Sequence, residues 1–144
     1  MYIVSACLAG IKCRYDGRDN GDDFVCPLVE EGKAIPLCPE VLGGLPIPRV
    51  PCEIRSRGGT KRVINREGQD VTENFERGAK KTLEIAKLVG AKAAILKAKS
   101  PSCGFGQVYD GTFTGRLIDG NGMTCQALLD SGIEVYTEKD SGKF

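Results

Sequence analysis

The sequence predicts an α/β fold: a single domain on a mostly parallel, Rossmann-like sheet with flanking helices. Three observations lead there. Short apolar segments alternate with segments of helical period along the whole chain. Its 144 residues suit one ordinary domain, 1–144. No internal repeat, low-complexity tract or Pro/Ser-rich linker divides them.

Tyr2–Ala6 (YIVSA) is the first strand. A helix over about Phe24–Glu31 stops at Gly32. Ala34–Leu37 (AIPL) is the second strand, and Pro36, which has no N–H, confines it to an edge or a strand end. Residues 71–89 form the clearest helix. Val71, Phe75, Ala79, Leu83 and Ala86 recur at three- and four-residue steps and make one apolar stripe. Asp70 and Glu73 stand in a capping-box arrangement, and Gly90 ends the helix. Ala91–Lys97 is the third strand, Met123–Asp130 a helix stopping near Gly132, and Ile133–Thr137 the fourth strand. Arg62–Asn65 and Gln107–Tyr109 are weaker strand candidates. Right-handed crossovers between parallel strands would put ligands in the crevice beyond the strands' carboxyl ends.

Composition removes several function classes. Hydrophobic residues make up 41% and charged residues 27%, which suits a packed globular chain. Twenty basic against nineteen acidic residues leave a net charge of +1. That balance gives no bulk attraction for nucleic acid or an anionic membrane. No apolar run reaches the ~18 residues a membrane helix needs. The chain has no His, so a His-based triad and any imidazole zinc site are excluded. It has 7 Cys, and an odd number cannot pair completely. The N-terminus, MYIVSACLAGIKC, reads as a strand without a basic leader, so a reducing cytoplasmic setting is expected.

Three cysteines follow strand candidates. Cys7 comes directly after YIVSA, Cys38 directly after AIPL, and Cys103 lies in KSPSCG, six residues after Lys97. A parallel sheet would bring all three loops to one edge. Soft thiolates select zinc, copper(I) or iron–sulfur clusters. The tight C-x2-C pairs common in structural zinc sites are absent. Three ligands from three loops suit a cubane with one iron left free of protein, where a substrate sulfur could bind. The competing reading for each cysteine is burial as a small hydrophobe. Cys13 could reach the same crevice as a fourth ligand, a reactive thiol or neither. Cys26 and Cys125 read as helix core, and Cys52 as structural or exposed.

The strings VSACLAG (4–10), CRYDG (13–17), CPEVLGGLPIPR (38–49), residues 68–90, AILKAKSPSCG (94–104), YDGTFTG (109–115) and GIEVYTE (132–138) resemble the thiouracil desulfidase (TudS)-like family, nearly end to end and in the same order. The resemblance implies a [4Fe-4S] cluster on Cys7, Cys38 and Cys103. It also implies a thiolated pyrimidine, such as 2- or 4-thiouracil, whose sulfur meets the open iron and is replaced by oxygen from water. Cys13 falls outside the implied metal set. Proton transfer then needs carboxylates. Glu40, two residues after Cys38 in an expected extended loop, is the first candidate; its alternative role is capping backbone amides. Asp16 is the second candidate, against an ordinary Asp-Gly turn. Ser100 and Ser102 could bind a pyrimidine carbonyl or cluster sulfurs, or simply shape the turn. Ser5 is expected to point away from Cys7. Two rival functions remain: sulfur transfer to or from tRNA or a metabolite on the same cluster, and a non-enzymatic metal-binding or sensor module.

Overall fold

A computed structural model describes residues 1–140 and 143–144. In chain order its elements are β1 (Tyr2–Ser5), α1 (Val25–Glu30), β2 (Ala34–Leu37), α2 (Pro39–Leu42), β3 (Cys52–Arg57), β4 (Thr60–Asn65), α3 (Thr72–Leu88), β5 (Ala93–Leu96), β6 (Gln107–Tyr109), β7 (Leu117–Asp119), α4 (Met123–Asp130) and β8 (Glu134–Thr137). Short 3-10 turns follow β1 at Ala6–Ala9 and β8 at Glu138–Asp140. Four strands form a parallel sheet in the order β2-β1-β5-β8. The predicted fold class is therefore the observed one. Pro36 lies on β2, an edge strand, where a missing N–H leaves no gap in the ladder.

Both faces of the sheet are covered, as a parallel sheet requires. Alternation along β1 sends Ile3 to one face and Val4 to the other. Ile3 joins Ala94, Leu96 and Val135 under Ala86 of α3 and Cys125 and Leu128 of α4. Val4 and Ile95 pack on the opposite side with Val25 of α1 and Leu8. Cys125 is thus core, as expected.

Two antiparallel hairpins, β3–β4 and β6–β7, stand outside the main sheet. β3 and β7 were not anticipated, and β4 begins at Thr60 rather than Arg62. β3 escapes notice because Arg55 and Arg57 break its apolar pattern. The turn signal was present in Gly58-Gly59, which joins the two strands. Phe75 on α3 anchors this hairpin through Ile54 and Val63.

Local chemistry also corrects the start of α3. The reciprocal Asp70–Glu73 capping box does not form. Asp70 Oδ1 accepts the Thr72 N–H at 2.9 Å, and its Oδ2 accepts Arg62 Nε at 2.9 Å. The Thr72 hydroxyl oxygen is taken by the Val63 N–H at 2.8 Å, so strand β4 supplies the ties that a capping box would have made. At the other end Gly90, at φ +68°, closes a Schellman turn: Ala91 N–H bonds Ala86 O and Gly90 N–H bonds Lys87 O.

Glycine matters most where α2 crosses α3. A Cβ on Gly78 would lie 1.9 Å from Pro39 O, and one on Gly43 would lie 2.0 Å from Asn74 O. The two backbones touch there, and this contact seats the segment carrying Cys38 and Glu40. Gly→Ala inside a helix ordinarily stabilises by ~0.5–1 kcal/mol. Gly78→Ala is expected to reverse that sign and destabilise by ~1–3 kcal/mol, as overpacking does, measured by urea unfolding of the cluster-free protein. A gain in stability would show that α2 is not seated by this contact.

Candidate active site

The strand register gives three cysteines a common address. Ser5 of β1 pairs with Leu37 of β2, and Val4 pairs with Ile95 of β5. The carboxyl ends of all three strands therefore sit side by side. Cys7 lies in the 3-10 turn after β1, Cys38 directly after β2, and Cys103 in the loop after β5. All three line one cavity of about 580 Å³, within the usual range for a small-molecule site.

Each thiol is fixed by its own loop. Cys38 is the N-cap of α2, with Pro39 at the first helical position. Cys103 sits in a loop that satisfies the start of α4. Gly122 N–H bonds Gly104 O, Met123 N–H bonds Pro101 O, and the Thr124 and Cys125 N–H groups both bond Ser102 O. Cys7 is tied through its carbonyl, which accepts the Gly10 and Asn20 N–H groups.

The electrostatics of the three thiols fit a shared cationic group. Burial pushes Cys103 up to about 12 and also raises Cys7, and each is raised further by neighbouring thiols of the set. Cys38 is held down to about 6, chiefly by a hydrogen bond from the Cys13 thiol, then by the Val41 N–H and Arg49 against the opposing effect of burial. Cys13 is raised in return. Three converging thiolates without a counter-charge repel, and replacing their protons by metal relieves both the repulsion and the burial penalty. Among the described residues, no three Cys, Asp or Glu side chains are arranged to hold a single metal ion. Ligands of one zinc lie ~2.0–2.3 Å from it and must crowd together. Three soft thiolate donors around one cavity are the donor type an iron–sulfur cluster takes.

Glu40 reaches the cavity from an unexpected element. It lies in the first turn of α2, not in an extended loop. Its Oε2 accepts the Ser102 hydroxyl at 3.0 Å, and its Oε1 accepts Arg49 Nε at 3.1 Å. Ser102 is 2% exposed. Ser100 Oγ stands 3.0 Å from Ser102 Oγ and accepts the N–H groups of Ser102 and Cys103 at 3.1 and 3.0 Å. Ser100 therefore shapes the turn and completes a line of polar oxygens ending at Glu40. The Ser102 hydroxyl also lies 3.6 Å from Cys103 Sγ.

Asp16 does not join them. It is exposed, absent from the cavity lining, and accepts the Arg18 N–H at 3.0 Å in a turn closed by Gly17, while its other oxygen pairs with Arg14 at 3.4 Å. The ordinary Asp-Gly turn accounts for it. Ser5 corrects the sequence reading in the other direction. It is buried, accepts the Lys97 N–H at 2.9 Å, bonds the Cys103 thiol and lines the cavity. Residues two apart on a strand share a face, so the strand pattern gives no reason for Ser5 to point away from Cys7. Arg49, with a side chain only 5% exposed, was missed because Pro-rich IPRVP offers no periodic signal. Cys13 and Cys52 line the cavity as well, whereas Cys26 bonds weakly to Leu8 O.

These thiols should label in a defined order. In the cluster-free protein, iodoacetamide should alkylate Cys38 first near neutral pH. Its rate should rise as pH climbs through about 6 and level off above, since the thiolate is the nucleophile. Cys103, buried and up at about 12, should stay unmodified until unfolding. Peptide mapping by mass spectrometry reads this order. Preferential labelling of Cys103 would overturn the assignment.

Comparison with known proteins agrees with this arrangement. Residues 2–140 match the family model described as 2-thiouracil desulfurase. The chain is 44% identical over 146 residues to the uncharacterized protein YbbK of Bacillus subtilis (strain 168), covering 97% of each. It also superposes on a solved structure of the [4Fe-4S]-dependent thiouracil desulfidase TudS. The TM-score there is 0.89 at 43% identity, over 97% of this chain and 91% of that one. A family match over nearly the whole length, with the predicted fold in place, leads to one conclusion: the chain belongs to the 2-thiouracil desulfurase family.

Proposed function

We propose that this protein is a desulfidase that replaces the sulfur of a thiolated pyrimidine, such as 2- or 4-thiouracil, with oxygen from water. One C–S bond breaks and one C–O bond forms, sulfide leaves, and no net redox change occurs. The observation that carries this reading is one cavity lined by three strand-end thiols and a Glu40–Ser102 pair. Cys7, Cys38 and Cys103 would hold the [4Fe-4S] cluster. When bound, that group supplies a Lewis-acid iron without a protein ligand, suited to a substrate sulfur.

The chain's own residues would then manage protons and position. Glu40 is the general base, taking a proton from the attacking water and returning one to the departing side. Ser102 donates to Glu40 Oε2, and Ser100 can donate to Ser102, so a proton has a continuous path along three oxygens. Arg49 balances the carboxylate's charge inside a site where Glu40's side chain is 14% exposed. The substrate is a small molecule rather than a structured RNA, in keeping with a net charge of +1. We place the protein in the cytoplasm, where thiols stay reduced. No helix among the described residues is long and apolar enough to cross a membrane.

Anaerobic reconstitution with iron and sulfide, followed by a sulfide-release assay on thiouracil, tests the reading. Wild type is expected to turn brown and release sulfide. Cys103→Ala should lose the colour. Glu40→Gln should keep it and lose ~10²–10⁴-fold in turnover, the usual worth of a general base. Full activity in either variant would refute the role assigned to that residue.

A further inference from the structure

Arg49 uses every nitrogen of its guanidinium, and each goes to a different segment. Nε donates to Glu40 Oε1 at 3.1 Å, Nη1 to Pro46 O at 3.2 Å, and Nη2 to Cys13 O at 3.0 Å. Nη2 also lies 4.0 Å from Cys38 Sγ. Its backbone N–H is fixed on Tyr15 O at 2.8 Å. Arginine usually grips a carboxylate with two parallel N–H bonds, which occupies both oxygens. Here the fork is turned so that only Oε1 is held. Oε2 is left with the Ser102 hydroxyl.

We infer that Arg49 is a positioning residue: it pins one oxygen of Glu40 and thereby aims the other at Ser102 and the cavity. The division of labour follows from geometry. A carboxylate on a flexible side chain can rotate about its last bond and exchange its oxygens. A guanidinium anchored on two backbone carbonyls cannot follow that rotation, so Oε1 stays where Arg49 holds it. The two carbonyl bonds also explain why arginine stands here rather than lysine, whose ammonium lacks a planar fork. The alternative is that Arg49 merely ties together the loops around residues 13, 15 and 46. That role would affect folding and cluster loading without acting through Glu40.

This inference rests on reading Glu40 as the proton-transfer group, and the test separates the two. Arg49→Met, Arg49→Lys, Glu40→Gln and the double variant Arg49→Met/Glu40→Gln would be reconstituted anaerobically and assayed with 4-thiouracil. Iron and sulfide content would be measured on each. Arg49→Met is expected to keep its iron and its KM within about twofold and to lose ~10²-fold in kcat, the scale of a misplaced catalytic group. Arg49→Lys should recover part of that loss. In the Glu40→Gln background the further effect of Arg49→Met should shrink to less than about twofold, because residues acting as a unit are not additive. Full additivity would overturn the inference, as would a loss confined to iron content or KM. Crystal structures of the cluster-free Arg49→Met and Arg49→Lys variants give a reading independent of turnover. Glu40 Oε2 displaced from Ser102 supports positioning, and an unchanged 3.0 Å contact contradicts it. Should wild type release no sulfide from 4-thiouracil, the proposed function falls, while the crystal structures still decide what Arg49 does. Should Arg49→Met fail to fold, Arg49→Lys carries every arm.

Discussion

β1 lies between β2 and β5, all three run the same way, and Ser5 stands beside Leu37 while Val4 stands beside Ile95. Because the register is flush, the chain leaves all three strands at one level. Residues 31 and 65 positions apart thus become neighbours. A one-residue slip would turn every side chain to the other face and scatter the cysteines. The register is held by Ile3 and Val4 of β1, Ala94 and Ile95 of β5, and Ala34 of β2, all buried. Burial of apolar side chains, at ~25 cal/mol per Å², therefore does indirect chemical work here: the core sets where the sulfurs go.

The strand ends alone would leave three mobile loops. Backbone contacts remove that freedom. Helix α4 offers unpaired N–H groups, and the carbonyls of residues 101, 102 and 104 take them. Helix α2 is pressed onto α3 where Gly43 and Gly78 let the chains meet. The first contact fixes Cys103 and Ser102; the second fixes Cys38 and Glu40. Helix packing behind the cavity wall thus holds the 3.0 Å approach between Glu40 and Ser102.

The sheet was legible because its strands are buried on both faces and read as short apolar runs separated by helices with clear stops. Ala34–Leu37 and Met123–Asp130 were placed to the residue. Strand β3 was hidden because Arg55 and Arg57 mask its period of two, whereas its partner β4 was legible from Arg62 onward. The cysteine positions were legible as strand-end loops, and the resemblance agreed with them. Four features of the site were not legible. α2 is a single turn of helix, too short for any period to show. Ser5 meets its partners Lys97 and Cys103 only through the tertiary fold, which no local pattern encodes. Asp16 and Glu40 look alike as loop carboxylates until burial separates them. Arg49 acts through distant partners at residues 13, 40 and 46, which no local pattern encodes.

The central claim is that three strand-end thiols share one inorganic core with a corner left open. Iron-edge anomalous diffraction from crystals grown without oxygen after reconstitution tests it most directly. The account predicts four iron peaks in one cluster, three of them bonded to the sulfurs of residues 7, 38 and 103 and the fourth without a protein ligand. A lone metal peak, or a fourth protein thiolate such as that of Cys13 on the last iron, would contradict it.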